Sequence, residues 1–170
     1  AAFVVRPSVG MDAAVRKAKA ALGWRGRVIG VHVRHGDACM HAAISRFRPQ
    51  CVPFSEYLAY VREMSARYAV DGVFLATDDA AVVEEAKRTD LRVMHIDIER
   101  EIFAGDWFLE FRTTQRLASA KDVTDSALLD LLLLSECDMF VCTFASHLSR
   151  LAFELMVARL GYFPPYASVD

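Results

Sequence analysis

The stretch Val28-Ile-Gly-Val-His-Val-Arg34-His-Gly-Asp37 decides the fold. Its first six residues are nearly all apolar, as in a strand that is covered on both faces of a parallel sheet. Polar residues and a glycine follow at once and mark the carboxyl end of this strand. Outward from it, short apolar runs alternate with longer amphipathic ones. This alternation predicts an α/β domain with a Rossmann-like parallel sheet and helices on both faces.

The periodicity predicts four strands and five helices. The strands cover residues 28–33, 72–76, 91–96 and 138–142, and the helices cover residues 12–22, 55–68, 80–89, 125–137 and 146–160. Residues 97–122 have no clear period and are predicted to form a long loop with one helical piece. The tail, residues 161–170, is predicted to lead out of the last helix without forming a new element.

The composition indicates one globular domain. Of the 170 residues, 54% are hydrophobic and 25% are charged, which is typical of a globular protein. The chain is long enough for one core and too short for two ordinary domains. The net charge of −2 argues against a nucleic acid as partner. No apolar run reaches the roughly 18 residues of a membrane span, so no membrane contact is expected of this segment. Since the chain begins at Ala1, we expect a single domain, residues 1–170, that is a fragment of a longer chain.

The end of the first strand carries a candidate anion site. His32 and Arg34 alternate along the strand and are therefore expected to share a face at the crevice edge. Gly36 allows a sharp turn after them. An arginine at this place can grip a diphosphate with two parallel hydrogen bonds. The alternative is a surface arginine that pairs with Asp37.

Two acids follow the second strand. Asp78 and Asp79 open the next helix, so Thr77 or Asp78 can act as its N-cap while Asp79 favours the positive helix end. Acids at a strand's carboxyl end can also hold a ribose or an acceptor hydroxyl. They do not form a DxD metal motif, and no metal or other cofactor is expected.

Asp130 stands within a run of leucines. A carboxylate in apolar surroundings must reach water or a hydrogen-bond donor. One interpretation is a narrow polar stripe with Ser126 that faces solvent. The other is a carboxylate that accepts the N1 and N2 hydrogens of a guanine.

The fourth strand runs into a helix through Cys142-Thr-Phe-Ala-Ser146-His147. Backbone amides at a helix N-terminus attract anions, and the Ser146 hydroxyl can add a donor or serve as the N-cap. A serine hydrolase built from Ser146, His147 and Asp130 is disfavoured, because the chain has no G-x-S-x-G elbow.

Three blocks of sequence together resemble the catalytic domain of the α1,6-fucosyltransferase family, which includes the bacterial nodulation fucosyltransferases. They are Val28-Ile-Gly-Val-His-Val-Arg34 with Asp37, Val73-Phe-Leu-Ala-Thr-Asp-Asp79 with Glu85-Ala-Lys87, and Leu129-Asp130 through Phe140-Val-Cys-Thr-Phe-Ala-Ser146 to Glu154-Leu-Met156. The blocks occur in the family's order and cover roughly residues 28 to 157.

This resemblance implies the nucleotide-binding, C-terminal half of a GT-B enzyme. Such an enzyme transfers fucose from GDP-fucose to a glycan acceptor with inversion and without a metal, in a Golgi or secretory lumen. The other half is an N-terminal domain absent from this chain. The implied substrate-binding residues are His32 and Asp130 for guanine, Arg34 for the pyrophosphate, Ser146 for a phosphate, and also Asp37, Thr143 and His147. Asp78 and Asp79 match acids that the family needs for activity.

The sequence departs from the family in its first motif. The family's motif usually continues with Arg, Thr, Asp and Lys, whereas here it continues with His35, Gly36, Asp37 and Ala38. The resulting His-x-Arg-x-Gly-Asp pattern also resembles α1,2-fucosyltransferases. A family glutamate thought to deprotonate the acceptor has no match here. The base is therefore left open between Asp78, Asp79, His41 and a residue of the other half. A non-catalytic GDP- or glycan-binding module and an O-fucosyltransferase relative are the alternatives.

The cysteines fit the implied oxidising compartment. Cys39 and Cys51 flank a short loop and are predicted to form a disulfide that adds up to roughly 3 kcal/mol. Cys137 and Cys142 are predicted to be buried free thiols. Because the chain has no CxxC pair, a structural zinc site is not expected.

Overall fold

The computed structural model describes residues 7–36, 39, 51–103 and 107–170. The helices are α1 (Val9–Ala21), α2 (Phe54–Arg67), α3 (Ala80–Lys87), α4 (Leu109–Thr114), α5 (Ala120–Ser135) and α6 (His147–Leu160). The strands are β1 (Val28–Val33), β2 (Gly72–Thr77), β3 (Val93–Met94), β4 (Met139–Cys142) and β5 (Tyr166–Ser168), and a 3₁₀ turn spans Arg100–Ile102. In the described part of the chain, none of the helices is both long and apolar enough to cross a membrane.

The strands form one parallel sheet in the order β3-β2-β1-β4-β5. Every residue of β1 and β2 is buried, as the continuous apolar runs predict for a sheet that is covered on both faces. The strand order reverses between β1 and β4, and parallel sheets bind ligands beyond the carboxyl ends of the strands at such a reversal. The predicted Rossmann-like α/β fold is confirmed.

Two apolar clusters cover the faces of the sheet. On one face, Tyr57 and Val61 of α2 pack with Val82 of α3. On the other, Leu133 and Leu134 of α5 pack with α6. Because β1 is pleated, side chains that alternate along it belong to one or the other of the two clusters. His32 carries the only polar side chain within the strand.

The prediction for the tail was wrong. Residues 161–170 contain β5, which pairs with β4 at the sheet edge. The two prolines that suggested an exit precede the strand, where a missing N–H costs no ladder bond. The Pro165 carbonyl accepts a hydrogen bond of 3.0 Å from the Phe140 N–H.

Residues 97–122 contain more regular structure than predicted. They include the 3₁₀ turn, α4 and the first turn of α5, which begins at Ala120 because Ser119 caps it by accepting from the Asp122 N–H at 3.3 Å. The third strand is shorter than predicted, Val93–Met94 in place of residues 91–96.

The cysteines lie as predicted. Cys39 and Cys51 form a disulfide with a Cα–Cα distance of 4.9 Å, and Cys137 and Cys142 are buried free thiols. Burial raises the pKa of Cys142 to about 12, so this thiol stays protonated and inert.

Candidate functional site

A cavity of about 110 Å³ opens at the carboxyl ends of β1 and β2. Its polar side chains include His32, Arg34, Asp78 and Asp130, all of which are predicted site residues. Apolar side chains complete the wall, among them Phe103 and Leu148. The fold therefore brings residues of β1, β2 and α5 together at the reversal of strand order.

His32 is a neutral group in this cavity. It is buried, and its Nδ1 lies 2.7 Å from the hydroxyl oxygen of Ser149 in α6. Burial, assisted by the charge of Arg34, lowers the pKa of His32 to about 3. One ring nitrogen can therefore donate a hydrogen bond while the other accepts one.

Arg34 forms an ion pair with Asp78. Its Nη1 contacts Oδ2 of Asp78, while Oδ1 of the same carboxylate accepts a hydrogen bond of 2.9 Å from the His35 N–H. The Asp78 side chain is 9% exposed and that of Arg34 is 30% exposed. The partner of Arg34 is thus Asp78, an acid at the carboxyl end of β2. Asp37, the partner in the alternative reading, lies outside the described residues, as does His41.

Gly36 leaves room for this ion pair. Its φ is +24°, and an added Cβ would lie 2.8 Å from Nη1 of Arg34 and 3.0 Å from Cγ of Asp78. Residues with a side chain rarely adopt such a backbone conformation. A side chain at position 36 would also contact the two charged groups of the ion pair.

For the nucleotide that the sequence resemblance implies, we expect Gly36→Ala to weaken binding more than it lowers stability. The positive φ alone costs about 1–2 kcal/mol, and the methyl group displaces Arg34 from Asp78. Calorimetric titration with GDP and thermal unfolding measure the two effects. Gly10→Ala is the matched control, because the nearest atom to its Cβ is 3.9 Å away and it lies within α1. Unchanged GDP affinity in Gly36→Ala would contradict the prediction.

Asp79 has two structural contacts. It is the N-cap of α3, and its Oδ1 accepts a hydrogen bond of 2.8 Å from the Ala81 N–H. Assigning the cap to Thr77 or Asp78 was therefore wrong. The other oxygen lies 3.0 Å from Nδ1 of His35, whose Nε2 donates to the Val52 carbonyl at 2.7 Å. Asp79 thus connects the start of α3 with His35 and, through the ring of His35, with Val52.

Asp130 is the least satisfied polar group of the cavity. Its Oδ1 is enclosed and has no hydrogen-bond partner among the described residues. Burial raises the pKa of Asp130 to about 7, and the charge of Arg100 acts in the opposite direction. The solvent-facing stripe is wrong, because Ser126 is buried and its hydroxyl donates to the Val123 carbonyl at 3.0 Å. A buried acceptor without a donor suits a ligand that brings donors.

In the turn from β4 into α6, some backbone N–H groups already donate hydrogen bonds within the chain. The N–H groups of Phe144 and Ala145 donate to the Asp170 carboxylate at 3.0 and 2.6 Å, so these two amides do not await an anion. Ser146 is the N-cap of α6, but its side chain makes no capping hydrogen bond. Thr143 has an enclosed hydroxyl without a partner among the described residues. His147 is exposed.

Three residues around the site were missed by the sequence reasoning. Arg100 is buried in the stretch without a period, Asp170 lies in the tail, and Ser149 pairs with His32. Only Ser149 carried a usable signal, since it follows the predicted N-cap Ser146 by one helical turn.

Possible metal ligands cluster at one place in the described part of the chain, at His35, Cys39 and Cys51. Two of the three are joined in the disulfide. Their sulfur atoms are not available as thiolate ligands while that bond exists.

Comparisons with known proteins identify relatives of this chain. The family model for the N- and catalytic domains of alpha-(1,6)-fucosyltransferases matches residues 1–163. The alpha-(1,6)-fucosyltransferase of Drosophila melanogaster is 36% identical over 146 residues, which cover 79% of this chain and 20% of the fly protein. The chain therefore spans about a fifth of the length of this curated relative.

Two solved structures share the fold. A crystal structure of NodZ alpha-1,6-fucosyltransferase soaked with GDP-fucose matches with a TM-score of 0.54 and 20% identity, over 88% of this chain and 43% of NodZ. A structure of POFUT1 in complex with GDP-fucose matches with a TM-score of 0.62 and 14% identity, over 96% of this chain and 46% of POFUT1. At such identities the likeness supports the architecture alone.

Proposed function

We propose that this chain, which belongs to the alpha-(1,6)-fucosyltransferase family, binds GDP-fucose and serves the transfer of its fucose to a glycan acceptor. The observation that carries the proposal is the cavity in which the unpartnered Oδ1 of Asp130 and the cation of Arg34 face one space. A guanine supplies the donors that the first group lacks, and a diphosphate supplies the anion for the second. GDP contains both.

The proposed pose places guanine at Asp130 and His32. A carboxylate can accept both the N1 and N2 hydrogens of guanine. Neutral His32 offers its Nε2 beside it, because its Nδ1 already bonds the Ser149 hydroxyl. The proposed diphosphate ligands are Arg34 and Ser146, whose hydroxyl makes no capping bond within α6. Thr143 is a second hydroxyl in the same turn, and Asp37 and His147 remain proposed ligands from the resemblance.

The proposed reaction is a direct displacement. An acceptor hydroxyl attacks the anomeric carbon of fucose, the bond to the diphosphate oxygen breaks, and GDP leaves with inversion at that carbon and without a metal. Negative charge develops on the leaving diphosphate, and in this proposal Arg34, which lines the cavity and is held by Asp78, stabilises that charge. Such preorganised charge is a large contribution to many enzymatic rates.

Asp78 and Asp79 act in this proposal by positioning other groups. Both oxygens of Asp78 are engaged, one by Arg34 and one by the His35 N–H. Both oxygens of Asp79 are engaged too, by the Ala81 N–H and the ring of His35. We therefore place the general base outside these two acids, at His41 or in a part of the protein beyond this chain.

Residues 1–170 are proposed to be one nucleotide-sugar-binding domain of a two-domain enzyme. The open cavity at the sheet edge supports this, because a reacting sugar has to be shielded from water by further structure. The disulfide supports the proposed Golgi or secretory lumen, since such bonds persist in oxidising compartments.

The test compares the 170-residue chain with a longer protein that contains it. We expect the chain to bind GDP in preference to ADP and to transfer nothing, and the longer protein to transfer fucose from GDP-fucose to a glycan acceptor. Calorimetry measures the first result, and mass spectrometry of the acceptor measures the second. A longer protein that binds GDP without turnover would favour the non-catalytic module. Equal affinity for ADP and GDP would exclude the proposed binding site for guanine.

A further inference from the structure

His35 contacts four groups at the edge of the proposed nucleotide site. Its backbone N–H donates to Oδ1 of Asp78 at 2.9 Å, and its Nδ1 lies 3.0 Å from Oδ2 of Asp79. Its Nε2 donates to the Val52 carbonyl at 2.7 Å, and its own carbonyl accepts a hydrogen bond of 2.8 Å from the Cys39 N–H. The side chain is 12% exposed. Both backbone groups and both ring nitrogens of His35 therefore have partners, which fix the residue in one position.

The disulfide links the groups behind two of these contacts. It joins Cys39 to Cys51 with a Cα–Cα distance of 4.9 Å, and Val52 directly follows Cys51. The N–H that binds the His35 carbonyl and the carbonyl that binds the His35 ring are therefore held near each other by one covalent bond. Without that bond they would be connected only through the intervening chain, and holding the ends of a chain together costs entropy.

The other two contacts of His35 reach the acids that follow β2. Asp78 uses Oδ1 for the His35 N–H and Oδ2 for Arg34, so one carboxylate connects the backbone at position 35 with the guanidinium. The pairing of β1 with β2 brings Val33 beside Thr77, but this register does not determine side-chain torsions beyond the ends of the strands. The hydrogen bond from His35 does, because it holds the second oxygen of Asp78 towards Arg34.

We infer that His35 is a positioning residue for the ion pair of Arg34 with Asp78. The disulfide acts through His35, so reducing the bond between Cys39 and Cys51 weakens binding of the diphosphate. The inference rests on the proposed function for its ligand, and His35 itself need not touch the nucleotide. The reductant is a dithiol: the Sγ–Sγ bond breaks, each cysteine becomes a thiol, and the dithiol becomes a cyclic disulfide, which supplies the electrons and protons.

The first measurement needs no ligand. Hydrogen exchange at the His35 N–H is followed by NMR in the wild-type chain, before and after reduction by dithiothreitol, and mass spectrometry checks that the bond is reduced. Cys137 and Cys142 are already free thiols, so the reductant acts on the one disulfide. We expect this amide to exchange about tenfold faster after reduction, since hydrogen bonds to charged groups are among the stronger ones. Unchanged exchange overturns the inference, whether or not GDP binds.

The second measurement compares the affinity for GDP with that for guanosine, which lacks the diphosphate. Reduction of the wild type and the substitution His35→Ala should each weaken GDP binding up to about tenfold, the effect of one lost hydrogen bond. Guanosine binding should not change. Reduction should have a much smaller effect in His35→Ala than in the wild type, because two changes that act through the same contact are not additive. His35→Gln should recover part of the affinity, since its amide can still donate to the Val52 carbonyl.

His95→Ala is the matched control. The His95 ring also pairs with a backbone carbonyl, that of Ile96 at 3.1 Å, but it has no described contact with Asp78. This variant should bind GDP like the wild type and lose the same factor on reduction. A full tenfold loss on reduction of His35→Ala, or equal losses for GDP and guanosine, would overturn the inference. Absence of GDP binding by the oxidised wild type overturns the proposed function, and the exchange measurement then still decides the role of His35.

Discussion

Arg34→Ala is expected to abolish measurable GDP binding. A charge-assisted contact that is truncated in a desolvated site costs roughly 2–5 kcal/mol. Here the loss has a second part, because the side chain of Asp78, 9% exposed, would lose the cation that now faces it. Isothermal titration calorimetry with GDP measures the effect.

Two variants make this test specific. Arg34→Lys should recover only part of the affinity, since an ammonium group cannot contact a diphosphate and a carboxylate through one planar fork. Arg62→Ala is the matched control, because Arg62 pairs with Asp90 on the surface, where the two side chains are 58% and 76% exposed. It should bind GDP like the wild type. Wild-type affinity in Arg34→Ala would remove the proposed diphosphate ligand.

The sequence specified the central part of the fold and of the site. The strand at residues 28–33 was predicted with its observed bounds, because an uninterrupted apolar run that ends at a charge and a glycine has few other interpretations. Since the carboxyl ends of parallel strands share an edge, the same pattern placed His32, Arg34 and Asp78 together. Periodicity and topology were sufficient for these residues.

The residues that were missed depend on tertiary contacts without local pattern. Arg100 can be buried because its guanidinium donates to three backbone carbonyls, one at the end of β2 and two in the segment after β3, and nothing in the sequence around it repeats. The tail forms β5 because β4 offers it a free edge, which outweighs the two prolines before it. The ion pair of Arg34 with Asp78 has the same origin, because the two residues are far apart in sequence and meet only where β1 and β2 end side by side.

Asp130→Asn is expected to weaken GDP binding and to remove its preference over IDP. Asparagine offers one acceptor and places a donor against the donors of guanine, and hydrogen bonds to charged groups are worth roughly 1.5–3 kcal/mol each. IDP lacks the N2 amino group, so the wild type should bind it more weakly than GDP, and the variant should bind the two alike. A variant that still prefers GDP would place the guanine elsewhere.

The pH dependence of GDP affinity and of stability, measured in the wild type and in Asp130→Asn, should separate binding from folding. In the wild type, GDP affinity should fall as the pH falls through about 7, where Asp130 gains a proton. Stability of the ligand-free protein should change in the opposite sense. The folded-state pKa of Asp130 is raised, so its contribution to stability is fully present below the unfolded pKa near 4 and is lost as the pH rises through 7, at about 1.4 kcal/mol per unit of difference.

Asp130→Asn should lack both dependences and, at pH 8, unfold at a higher urea concentration than the wild type although it binds GDP more weakly. Urea titrations and calorimetry between pH 5.5 and 8.5 measure both, and a variant that is less stable at pH 8 would show that the carboxylate is already satisfied within the fold.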